Sequence, residues 1–182
     1  SSADGNYNND GATGTNSLAA GVNVAATGNN TILVGSNSSA DAASSKAIAF
    51  GIQNQLTSTT ESGVFGGENK LTGVNNSFVI GQVNEVQNTQ GSGVSGGYNK
   101  VGLTAAVTNT TITGSNNTIN NATRSGIIGG NNTIGAPGIA LLTGVHRKDV
   151  KRLRDASTTP EGSAPSAPLA ASVVARWISE PR

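Results

Sequence analysis

At 182 residues the chain has the length of one ordinary domain, but with 3% aromatic and 12% charged residues it lacks the large side chains that fill an ordinary globular core. The absence of cysteine excludes disulfides, thiolate metal sites and a cysteine nucleophile. A net charge of +1 conceals a split: residues 1–135 carry four Lys/Arg against six Asp/Glu, whereas residues 136–182 carry seven against four, which makes the tail basic.

All 22 Asn lie before position 136 and all five Pro lie after it, which places a boundary close to Gly135–Pro137. Residues 1–16 are rich in Ser, Asn, Asp and Gly with a single large residue, Tyr7, and read as a frayed lead-in or a degenerate capping turn. No signal peptide and no run of eighteen apolar residues is found, and a start at Ser1 suggests an excised fragment.

From Ser17 to Gly135 the chain repeats. The period is clearest between Ser62 and Lys100, where Ser, Gly, Asn and an aliphatic recur every fifteen residues. One glycine per copy aligns the whole region: Gly21, Gly35, Gly51, Gly66, Gly81, Gly96, Gly114 and Gly129. The 18-residue step between Gly96 and Gly114 marks a three-residue insertion near Leu103–Thr108, expected as a protruding loop. Two residues before each glycine stand Ala19, Leu33, Ala49, Val64, Val79, Val94, Ile112 and Ile127, and five residues after it Ala26, Ala40, Leu56, Leu71, Val86, Val101, Ile119 and Ile134. Both columns are wholly apolar in a chain only 35% hydrophobic, which decides for a β-solenoid over a disordered low-complexity chain.

The physical reading is two short strands per copy around a tight turn. The repeat glycine supplies a backbone conformation denied to L-residues. Asn69, Asn84, Asn99, Asn117 and Asn132, three residues on, are expected to take a left-handed conformation or to hydrogen-bond their own turn. One residue before each glycine runs a third column: Ala20, Val34, Phe50, Phe65, Ile80, Ser95, Thr113 and Ile128. Period-two alternation turns this column outward if the column beside it fills the core. Val34, Phe50, Phe65, Ile80 and Ile128 then form a candidate oligomer face; the alternative is that both columns lie inside a wider coil.

The segments Asn16–Gly21 and Asn76–Gly81 resemble the N-S-V-A-I-G repeat of YadA-like heads of trimeric autotransporter adhesins, and the G-G-x-N-K turns at Gly66–Lys70 and Gly96–Lys100 resemble a longer, Asn-rich variant. The resemblance spans about residues 17–135. It implies an all-β, left-handed parallel β-roll, a homotrimer, and non-enzymatic adhesion to host matrix or cell-surface ligands. It also implies exposure on the bacterial outer membrane and a role in virulence. The chain departs from the family in carrying Val or Ile at many positions where the family has a small alanine, and the family's neck is absent.

Residues 136–182 read as a short, unrelated α-helical tail. Apolar residues at 139, 142, 145, 150 and 153 have helical spacing, and Ala140, Gly144, Val145, Val150 and Leu153 have that of a helix-turn-helix. Arg147, Lys148, Lys151 and Arg152 are then candidate phosphate contacts. This segment resembles a piece of an uncharacterised bacterial helix-turn-helix family, with Ser157–Ala167 as a linker and a second short helix carrying Leu169, Val173 and Trp177. Pro137 and Gly138 fall where the first helix should run, so the tail reads as a foreign, fused segment or as a solvated basic helix.

No catalytic constellation or cofactor site is expected. His146 is the only histidine, so a His-containing triad on the coil is excluded. Glu61, Glu68 and Glu85 fall on different columns. The leading expectation is an adhesion and display module with no enzymatic activity, no small-molecule substrate and no metal. The alternatives are an ice- or carbohydrate-binding solenoid, for which the Ser/Thr residues four before the glycine (Ser17, Thr31, Ser62, Ser77, Ser92, Thr110 and Ser125) are the candidate row, and weak nucleic-acid binding by the tail.

Overall fold

The computed structural model describes residues 9–135, 138 and 140–144. These form an all-β parallel solenoid with no helix. Two sheets run its length, each of nine strands. The first stacks Leu18–Val22, Ile32–Ser36, Ile48–Ile52, Gly63–Gly67, Phe78–Gln82, Gly93–Gly97, Thr111–Ser115, Gly126–Ile128 and Leu141–Thr143 in that order. The second takes the strands between them, from Ala25–Ala26 to Thr133–Ile134.

Register follows the repeat. Val64, Val79, Val94, Ile112, Ile127 and Leu142 are successive partners across the first sheet. Leu56, Leu71, Val86, Val101, Ile119 and Ile134 are partners across the second. Each turn brings one residue from each column to the seam, and the stacking of turns about 4.8 Å apart makes that seam continuous. All of these side chains are buried.

The repeat glycine is required twice over. From Gly21 to Gly129 its φ lies between +123° and +140°, a region closed to L-residues. A Cβ on Gly66 would also overlap the carbonyl oxygen of Gly81, and the same holds at each repeat glycine up to Gly129.

Two further corners are left-handed in every turn, and several turns add a third seven residues after the glycine, at Ser58, Gly73, Asn88 and Asn121. Of the two constant corners, one lies five residues before the glycine (Asn16, Asn30, Lys46, Glu61, Asn76, Gly91, Asn109, Arg124), the other two residues after it (Asn23, Asn37, Gln53, Glu68, Val83, Tyr98, Asn116, Asn131). The Asn three residues after the glycine does neither of the things expected of it. Its φ is not positive, and its side chain points inward to bond neighbouring turns instead of its own. Positions three and five after the glycine share one side of the second strand, so an Asn there is carried into the interior beside the aliphatic.

The interior therefore holds polar ladders as well as a greasy seam. Asn54, Asn69, Asn84, Asn99, Asn117 and Asn132 are all at most 1% exposed. Asn84 donates Nδ2 to Asn69 Oδ1 at 2.9 Å and to Gly96 O at 2.9 Å, and its own Oδ1 accepts Asn99 N at 3.2 Å and Asn99 Nδ2 at 2.9 Å. Nearly every amide group of the column is thus satisfied, which is the condition for burying it. A second ladder uses the Ser/Thr four residues before the glycine. Ser77 donates its hydroxyl to Asn75 O at 2.9 Å, and the hydroxyl oxygen accepts Ser92 N at 3.0 Å.

Pairing extends beyond residues 17–135 at both ends. Ala12 pairs with Ala26, so the coil begins before Ser17. At the other end Leu141–Thr143 pairs with Gly126–Ile128, which carries the repeat past Gly135 as far as Gly144. The helix expected from residue 139 onward is thereby corrected over 141–144: Leu142 and Gly144 fall fifteen residues after Ile127 and Gly129. A short apolar run fits helix and buried strand alike, and pairing to the preceding turn decides for the strand. The rest of the expected helical tail lies outside the described residues. The three-residue insertion sits between Val101 and Val107, which pair with Val86 and Thr89 of the preceding turn, so the loop leaves both columns in register.

Candidate functional site

The first sheet has one face inward and one face outward, and its outward face is apolar. Outward positions are those three and one before the repeat glycine and one after it, as strand alternation requires. They place Leu18, Ile48, Phe78 and Leu141 in one row, Phe50, Phe65, Ile80 and Ile128 in the next, and Val22 and Ile52 in the third, all of them exposed. Val34 joins the middle row half-buried. All five residues expected on an oligomer face therefore stand on one outward surface. The alternative in which this column lies inside a wider coil is excluded: Phe65 is 45% exposed while its neighbour Val64 is 0%.

The relief of this face comes from its glycines. Phe50 and Phe65 stack face to face on adjacent turns, ring centroids 5.5 Å apart and planes 7° from parallel. Gly93 stands next to Phe78 in the same row, and a Cβ there would lie 2.9 Å from Phe78 Cε1, so the ring occupies the space a side chain at 93 would need. Gly63, one turn before Phe78, leaves a shallow depression lined by Lys46, Ile48, Glu61, Ser62 and Phe65. Its polar rim is the Lys46–Glu61 ion pair, 2.9 Å long and more than half exposed on both sides.

The second sheet's outward face is polar. Lys70, Glu85 and Lys100 occupy one register column on successive turns, so charges of alternating sign stack along it. Glu85 also accepts a bond from Gln87 Nε2 at 3.0 Å. Glu61 and Glu68 sit at two different left-handed corners, so the three carboxylates share no site. Among the described residues no group of three His, Asp or Glu is arranged to hold a metal ion.

The Ser/Thr column considered as an ice-binding row is turned inward: Thr31, Ser62, Ser77, Ser92, Thr110 and Ser125 are buried and Ser17, in the first turn, is half-buried. Arg147, Lys148, Lys151, Arg152 and His146 lie outside the described residues. What sequence reasoning missed was the pair of internal ladders. The signal was parity, since Ser and Asn each stand two residues from an aliphatic column and so face the same way.

No protein-family model matches the chain, and no characterised protein matches its sequence.

Proposed function

We propose that this chain is a non-enzymatic display module: the head of a bacterial surface adhesin, packed side by side with two further copies through the outward face of the first sheet. The observation that carries the reading is that face, with four exposed large side chains in its middle row and six more flanking them. A broad apolar surface on a soluble rod is costly to leave in water and marks an association surface. Three coils meeting on it would leave the polar second sheet and the corners outside, where a repetitive surface binds host matrix or cell ligands through many weak contacts. The likeness of Asn16–Gly21 and Asn76–Gly81 to YadA-like repeats supports the same reading, and with it a left-handed coil and a location on the outer membrane.

Sedimentation equilibrium of the full chain tests it. A trimer mass is expected. Replacing Phe65 and Ile80 together by Ser should shift that mass to the monomer while the β circular-dichroism signal persists, because both side chains point away from the core. A wild-type monomer with a fully folded spectrum would refute the reading. Retention on immobilised extracellular-matrix proteins, lost with the trimer, would then identify the ligand class.

A further inference from the structure

The outward face of the first sheet has two unlike edges. One edge is the row three residues before the repeat glycine, where the strands start. In it Gly63 stands between Ile48 and Phe78, its register partners on the turns before and after. Its backbone does not ask for glycine: its φ is not positive, and a Cβ would meet only Phe65 Cε2, at an ordinary 3.5 Å. Two other glycines of the same row make room for a neighbour in their own chain. A Cβ on Gly93 would lie 2.9 Å from Phe78, and one on Gly126 would lie 3.0 Å from Leu141. Gly63 makes such room for no described residue, and the space it leaves is the depression of about 440 Å³. That depression spans two turns, with Lys46 and Ile48 from one and Glu61, Ser62 and Phe65 from the next.

The other edge is the row one residue after the glycine, where the strands end. Ile52 is the one large apolar side chain there after Val22, since Gly67 and Gln82 follow it in register and Gly97 and Ser115 after them. It is 50% exposed and leans toward the next turn, with its Cγ1 3.2 Å from where a Cβ on Gly67 would stand. Ile52 and the depression thus occupy the same two turns at opposite edges of one face.

Rotation about an axis parallel to the coil keeps every residue at its height and turns the strand ends of one copy toward the strand starts of the next. We infer that Ile52 of each copy seats in the Gly63 depression of its neighbour, a head-to-tail contact that closes on itself after three copies. The inference rests on the side-by-side packing proposed above and gives that packing its direction and its contact. The middle row, with Phe50, Phe65 and Ile80, then meets at the axis. A two-fold pairing would instead set like edges together, Ile52 against Ile52, and leave the depression empty.

The chain has no cysteine, so introduced pairs report on themselves. Full chains carrying both Ile52→Cys and Gly63→Cys should run as covalent trimers on non-reducing gels after mild oxidation, because a disulfide needs Cα atoms about 4.4–6.8 Å apart. Chains with Ile52→Cys assembled with chains carrying Gly63→Cys should give cross-linked dimers, and either variant alone should give none. Gly63→Leu fills the depression and should weaken assembly about tenfold while the β circular-dichroism signal persists; adding Ile52→Ala should recover most of the loss. A wild-type trimer whose double-cysteine variant fails to cross-link, or cross-linking of the Ile52→Cys variant with itself, would overturn the inference and leave the trimer standing. A wild-type monomer would overturn both. In such a monomer, a Gly63→Cys thiol shielded from a maleimide would assign the depression to the chain's own remaining residues.

Discussion

Asn84→Ala isolates the contribution of the amide ladder. Truncation removes the Nδ2 that serves Asn69 Oδ1 and Gly96 O, and the Oδ1 that accepts Asn99 N and Asn99 Nδ2. Asn69 Oδ1 keeps the backbone N of residue 84 at 3.1 Å, so it is not orphaned. Asn99 N and Nδ2 both lose the acceptor at 84; Nδ2 still donates to Gly114 O at 2.9 Å, so the backbone N–H bears the larger loss. Gly96 O loses its amide donor. Each buried polar group left unpaired costs about 1–3 kcal/mol, and a small cavity adds to that, so the expected destabilisation is about 3–5 kcal/mol. Urea unfolding followed by circular dichroism measures it, with the m-value as a check that the unfolded state is unchanged. Asn84→Leu should do no better than Ala, since a larger apolar side chain restores volume but no hydrogen bond. A cost below about 0.5 kcal/mol for the Ala variant, within the range of ordinary surface substitutions, would refute the reasoning.

Three further outcomes follow from the backbone and the rim. Gly81→Ala should prevent folding or cost more than about 4 kcal/mol, because its φ of +127° excludes an L-residue and the new Cβ would overlap Gly96 O; soluble expression and circular dichroism report it. Val83 is a β-branched residue held at φ +57°, so Val83→Asn should stabilise by about 1 kcal/mol in the same urea assay. Lys46→Ala removes an exposed ion pair and should change stability by no more than about 0.5 kcal/mol, less still at high salt.

The columns legible in the sequence were those in which chemistry and position coincide. Aliphatics two before and five after the glycine had to face inward, and alternation then sent Phe50, Phe65 and Ile80 outward, where they lie. The polar ladders were hidden because Asn and Ser are the ordinary residues of turns, so their type pointed to the surface while their parity pointed to the core. The left-handed corners were hidden for the opposite reason. Lys46, Gln53, Glu61, Val83, Tyr98 and Arg124 all occupy them, and such residues carry no mark of that conformation. Leu141–Thr143 escaped because its apolar residues and the following Gly144 serve a helix and a final turn equally well until the pairing with Gly126–Ile128 is seen.

The insertion between Val101 and Val107 has a consequence for how such a rod can vary. Asn117 still reaches Asn99 Oδ1 across the longer turn, at 3.1 Å from its backbone N and 3.0 Å from Nδ2. Val94 still faces Ile112, and Val101 still faces Ile119. Three added residues have therefore moved nothing but the corner that holds them. Loop closure costs grow only slowly with length, so that corner can accept longer segments at small thermodynamic cost. The coil thus separates a frame that must keep strict count from a flank on which sequence can be exchanged freely, one corner at a time, along its length.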